Sequence, residues 1–186
     1  KPNGREVAVI DTSKGIIKVQ LIGLDAPIHV GNFIELANKG FYDGLTFHRY
    51  VPGFVIQGGC PLGTGTGGPG YEIKEEFTTN PHNLHEDCSL AMARSQHPDS
   101  AGSQFYFCLG AQPMLNDGYT VFGQTLTGHD VIHSLRMGDK INNINTNFLN
   151  KIDLKTDIFI KRDEINTVKQ AIENKENIVI LSDGGV

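Results

Sequence analysis

Residues 45–59, LTFHRYVPGFVIQGG, leave the backbone few choices. Thr46, His48 and Tyr50 alternate with Phe47, Arg49 and Val51, the period of two that belongs to a strand. Pro52-Gly53 supplies turn chemistry, and residues 54–57 read as a second strand returning beside the first. Residues two apart share a face of a strand, so Arg49 is expected to project opposite to His48 and Tyr50. A hairpin this short brings Arg49, Phe54 and Gln57 round one shallow patch: a cation, an apolar wall and an amide able to hold the cation in place.

The rest of the chain is punctuated in the same manner. Residues 6–12 and 16–22 alternate about the turn Ser13-Lys14-Gly15 and form a first hairpin. Asp25 and Pro27 open a helix whose apolar face is Val30, Phe33, Ile34 and Ala37, with Gly40 as its stop. Three short apolar strands follow at residues 89–93, 104–109 and 120–125, and a second helix at about 130–137 ends at Gly138. Strands at this spacing suggest a barrel or sandwich and argue against βαβ units. Two segments compete for the closing strand, residues 140–145 and 157–161. Residues 163–174 have a helical pattern and 177–181 a strand pattern.

Composition removes several function classes. A net charge of -5 and a pI near 5.8 argue against a nucleic-acid role, which needs a basic face. No apolar run is long enough for a membrane span. The glycine-rich run 58–70 lacks the lysine and the following helix of a phosphate-binding loop, and reads as a surface loop whose glycines supply positive φ. Cys60, Cys88 and Cys108 have no metal-ligand spacing and read as reduced thiols in preference to a single disulfide; the odd number suits a cytoplasmic location. His82 and His85 stand close in sequence but without a third ligand, so no metal site and no cofactor are expected. The start, KPNGREVAV, carries neither a signal peptide nor an initiator methionine, as in a trimmed chain.

Five segments in register, FHRYVPGFVIQGG, GTGTGGPGY, SLAMARS, GSQFYF and LNDGYTVFGQ, resemble the cyclophilin family of peptidyl-prolyl cis-trans isomerases over about residues 7–144. The loop ARSQHPDSAGSQF is similar to the bacterial-type branch. The resemblance implies an all-β fold, a closed eight-stranded antiparallel barrel capped by two α-helices, with the active site in a groove on the outer wall. Residues 1–146 are then the barrel domain, and residues 147–186 a C-terminal α/β extension.

The resemblance also implies roles. Arg49 matches the catalytic arginine and Gln57 the residue that fixes it. Phe54, Val55, Tyr106 and Leu115 match the lining of the proline pocket. Ala93 and Arg94 match the edge that grips residues before the proline, and Gln104 a second groove glutamine. Tyr119 stands where a groove-rim histidine is usual. Met114 replaces an aromatic that binds cyclosporin, so cyclosporin binding is expected to be weak with isomerase activity kept. Val55 stands for a usual methionine, Tyr106 for a phenylalanine and Arg94 for an asparagine, and the last two are expected to favour polar or acidic residues near the proline.

Taken without the resemblance, Arg49 reads as an ordinary surface ion-pair partner, and Phe54, Val55 and Leu115 as plain core. The expected partners are proline-containing peptides and unfolded proteins, with no nucleic acid or membrane, met by a monomer. Two other readings are a proline-motif binding module with little turnover and a scaffold docked through the tail.

Overall fold

The computed structural model describes residues 2–148; the expected elements at 157–161, 163–174 and 177–181 lie outside the described residues. Eight strands form one antiparallel sheet: β1 (Glu6–Thr12), β2 (Gly15–Leu21), β3 (Phe47–Val51), β4 (Val55–Gly58), β5 (Ser89–Met92), β6 (Phe105–Cys108), β7 (Val121–Thr127) and β8 (Ile141–Phe148). Their spatial order is β3-β4-β6-β5-β7-β2-β1-β8. Of the two candidate closing strands, the earlier one takes the place beside β1, as β8. The ends of the sheet curl towards each other without a full ladder. They meet at the Thr46–Lys140 bridge and through Phe47 N–H to Asp139 O at 2.8 Å and Gly138 N–H to Phe47 O at 2.9 Å.

Helix α1 (Pro27–Asn38) starts on a proline, whose missing N–H costs nothing in a first turn. It ends in a Schellman arrangement. Gly40, at φ +71°, donates to Ala37 O, and Phe41 N–H reaches back to Leu36 O, both at 3.0 Å. Helix α2 (His129–Ser134) is shorter than its sequence pattern suggests. Leu135 turns extended, and the Asp139 carboxylate takes Arg136 N–H at 2.7 Å, an alternative to another helical turn.

Alternation along the strands separates two apolar groups. Phe105, Phe107, Leu90, Met92 and Ile56 point inward to meet Phe33 of α1, whose ring lies 5.3 Å from Tyr42 and Phe122 and 5.7 Å from Phe105. Val55, Ala91, Tyr106, Cys108 and Val121 form a second buried cluster on the other face. All three cysteines are buried thiols outside any disulfide. Among the described residues, no helix is long and apolar enough to cross a membrane.

Candidate active site

The hairpin is built as its sequence suggests, apart from one residue. Phe54 N–H donates to Val51 O at 3.0 Å across Pro52-Gly53, and Gly53 holds φ +69° at the position where a type II turn requires it. In β3, however, Phe47 pairs with Gly58 while Arg49 pairs with Gln57, so His48 is an extra residue, a bulge. Strict alternation would put Phe47 and Arg49 on one face. The bulge lets Phe47 enter the core, fully buried, while Arg49 stays exposed outside. Arg49 and His48 therefore line the same groove, which corrects the expectation that they point apart.

Strand register carries the row onward. Gln57 stands opposite Tyr106, Tyr106 opposite Ala91, and Ala91 opposite Val121, so five strands contribute to one line of outward positions beginning at Arg49. The groove along it holds a cavity of about 500 Å³. Of eleven residues expected at the site, nine line this cavity: Arg49, Phe54, Val55, Gln57, Ala93, Arg94, Tyr106, Leu115 and Tyr119. Gln104 lines the adjoining cavity, and Met114 stands 71% exposed in the 3-10 turn Pro113–Leu115, outside both. His48, Thr64 and Gly65 complete the lining and were missed. His48 depends on the bulge, and the other two on a loop fold that glycine content alone does not specify.

A polar relay orders the cationic end. Arg49 Nη1 donates to Gln57 Oε1 at 3.5 Å, a long contact that, among the described residues, leaves most of the guanidinium's donors unused. Gln57 Nε2 donates to Gln104 Oε1 at 3.0 Å, and Gln104 Nε2 donates to Gly65 O at 2.9 Å and Gly67 O at 2.8 Å. Arginine can only donate, so each amide's orientation is dictated by its neighbour. The relay ends in the loop of positive-φ glycines, where Gly65 and Gly67 N–H both reach Cys60 Sγ at 3.3 Å. Burial pushes the Cys60 thiol up, but these and neighbouring backbone N–H groups outweigh it and bring the thiol down to about 7.

A second network fixes the apolar floor. His85 N–H and Nδ1–H both donate to Asn116 Oδ1, at 2.8 and 3.0 Å. Nδ1 therefore carries the proton, and Nε2 accepts from the Tyr106 hydroxyl at 2.9 Å. Burial holds the His85 imidazole below its ordinary range, opposed by the Asn116 bond, and burial raises the Tyr106 phenol. The hydroxyl proton is thus committed away from the groove. Burial, then the Arg49 charge, also lowers His48, whose buried Nδ1 has no hydrogen-bond partner among the described residues.

His82 Nδ1 meets Asp25 Oδ2 at 2.8 Å, away from His85 and its partners. Asp87, Cys88 and His133 bring their ligand atoms within 4.8 Å of one another, but none lines the groove. A His133 Nε2–Asp87 Oδ1 hydrogen bond at 2.9 Å accounts for the approach of those two side chains. The lined cavity can receive an apolar ring against Phe54 and Leu115 while a cation faces an adjacent carbonyl.

Residues 7–157 match the family described as cyclophilin type peptidyl-prolyl cis-trans isomerase/CLD. A peptidyl-prolyl cis-trans isomerase of Synechococcus elongatus is 50% identical over 136 residues, covering 72% of this chain and 91% of that protein. The isomerase B of Bacillus subtilis is 53% identical over 123 residues, covering 66% and 85%. Among solved structures, a Cryptosporidium parvum cyclophilin crystallised with the dipeptide Ala-Pro superposes with a TM-score of 0.67 at 30% identity, covering 74% of this chain and 96% of that one. Family match, relatives and fold agree with one another: the chain belongs to the cyclophilin-type peptidyl-prolyl cis-trans isomerases, and its reaction is rotation about the X-Pro bond.

Proposed function

We propose that Arg49 is the catalytic residue and that Phe54, Val55, Tyr106 and Leu115 receive the proline ring. An X-Pro amide resists rotation by about 18–20 kcal/mol because the nitrogen lone pair is delocalised into the carbonyl. No bond breaks, so the enzyme needs only to bind the twisted amide more tightly than either planar form. The guanidinium holds the substrate carbonyl and donates towards the prolyl nitrogen as that atom becomes pyramidal and basic. The second interaction exists only near the transition state, which makes it catalytic.

Gln57 holds Arg49 in place, and Gln104 orients Gln57. Ala93 and Arg94 contact the residues before the proline, and Met114 and Tyr119 form the rim. The observation that carries this reading is an arginine without an ion-pair partner among the described residues, beside an apolar floor. Clients are proline-containing segments of peptides and unfolded proteins. Cyclosporin binds weakly, because Met114 has no indole N–H. The chain acts as a monomer in a reducing, cytoplasmic setting, a location supported by its three buried thiols. Asn147 and Phe148 pair with Val7 and Glu6 in the sheet, so the extension to the catalytic domain is the segment that follows Phe148.

Exchange NMR on an Ala-Pro peptide tests the assignment. Arg49→Ala is expected to lower kcat/KM about 10²-fold with a smaller change in peptide affinity. A loss of affinity as large as the loss in kcat/KM, with kcat unchanged, would reduce Arg49 to a binding group.

A further inference from the structure

The chain carries a net charge of -5, yet among the described residues the charged side chains lining the groove are Arg49 and Arg94, with no carboxylate. Arg94 is held more firmly than a surface arginine. Its Nε–H donates to Gly118 O at 2.7 Å, and Nη1 donates to Ser95 O at 2.9 Å and Gln96 O at 3.2 Å. Its guanidinium carbon lies 4.7 Å from the Tyr119 ring centroid and 5.8 Å from that of Phe77. All three acceptors are neutral carbonyls, so they fix the side chain without cancelling its charge. Among the described residues Nη2 makes no hydrogen bond and Arg94 no ion pair. Arg94 also lines the adjoining cavity, where Glu72 is the acidic residue of the lining and does not pair with it.

A planar cation held in one orientation with two donors unused is matched to a carboxylate. Arg49 is occupied at the reacting amide, which leaves Arg94 to meet a different part of the substrate. We infer that Arg94 is a specificity-determining residue that makes this isomerase prefer X-Pro bonds with an aspartate or glutamate shortly before the proline. The inference rests on the proposed substrate orientation, in which Ala93 and Arg94 contact residues on the N-terminal side.

The test is exchange NMR on peptides with Glu, Gln or Lys two residues before the proline, and a second series with the same residues two positions after it. With the full chain at low salt, kcat/KM for Glu is expected to exceed that for Gln by about fivefold, and Lys to fall below Gln. The preference should shrink towards unity in 1 M salt. Arg94→Gln should remove the Glu-to-Gln ratio, and Arg94→Lys should restore part of it. Each enzyme is its own control, because the ratio is read within it. If Arg94→Gln does not fold, the salt dependence of the wild-type ratio carries the test.

Equal turnover of all three peptides before the proline, or a preference confined to the series after it, overturns the inference and leaves the isomerase assignment standing. Absence of turnover on every peptide overturns both.

Discussion

Gln57 stands directly opposite Arg49 on the neighbouring strand, accepting from its guanidinium while donating its own amide to Gln104. The polarity of this pair cannot be reversed, since Arg49 offers only donors. Gln57→Glu would place a carboxylate against Arg49, neutralise part of its charge and delete the donor to Gln104. It is expected to lower kcat/KM for an Ala-Pro peptide by about ten- to hundredfold, in kcat more than KM. Exchange NMR with the wild-type rate retained would show that the relay does not position Arg49.

Cys60 anchors the far end of that relay through Gly65 and Gly67. Its folded thiol is lowered from 9.0 to about 7, so between about pH 7 and 9 the unfolded chain binds more protons there than the folded chain. Stability should therefore rise with pH across that window. Denaturant titrations at pH 7, 8 and 9 are expected to show the rise in the wild type and a flatter profile in Cys60→Ser. Parallel profiles would mean that the thiol is not held low in the folded protein.

Tyr106 and His85 make the opposite use of a titrating group. Burial holds folded His85 below its ordinary value, so as pH falls through the usual imidazole range the unfolded chain takes up the proton first and stability declines. Protonation would also abolish the acceptor that Tyr106 uses. His85→Gln should reduce the decline between pH 7 and 5. Tyr106→Phe leaves Nε2 buried without a donor and should cost about 1–3 kcal/mol at pH 7. Thermal melts across pH check both; an unchanged slope in His85→Gln would assign the decline to other groups.

Glu76 is a cap supplied from outside its helix. Its carboxylate accepts from Ile28 N–H at 3.1 Å and His29 N–H at 2.8 Å, in the first turn of α1, and from His29 Nδ1 at 2.7 Å. Ala26, at the N-cap, makes no side-chain cap of its own. Glu76→Ala strands these donors in a nearly buried site and should cost about 2–4 kcal/mol. Urea unfolding measures the loss, and a change under 1 kcal/mol would show that other groups cap the helix.

The residue pattern alone determined the two hairpins, the helix beginning at Pro27 and ending at Gly40, the short strands between glycine and proline turns, and the motifs that assemble the groove. These are short-range properties: alternation, turn chemistry and helix stops act over a few residues. Tertiary structure decided which way Arg49 faces, because burial of Phe47 against the core is satisfied only if His48 bulges. It also decided that Tyr106 meets His85, and that Glu76 caps a helix 47 residues earlier in the chain. Partners so far apart are chosen by packing and strand register, which no local periodicity encodes.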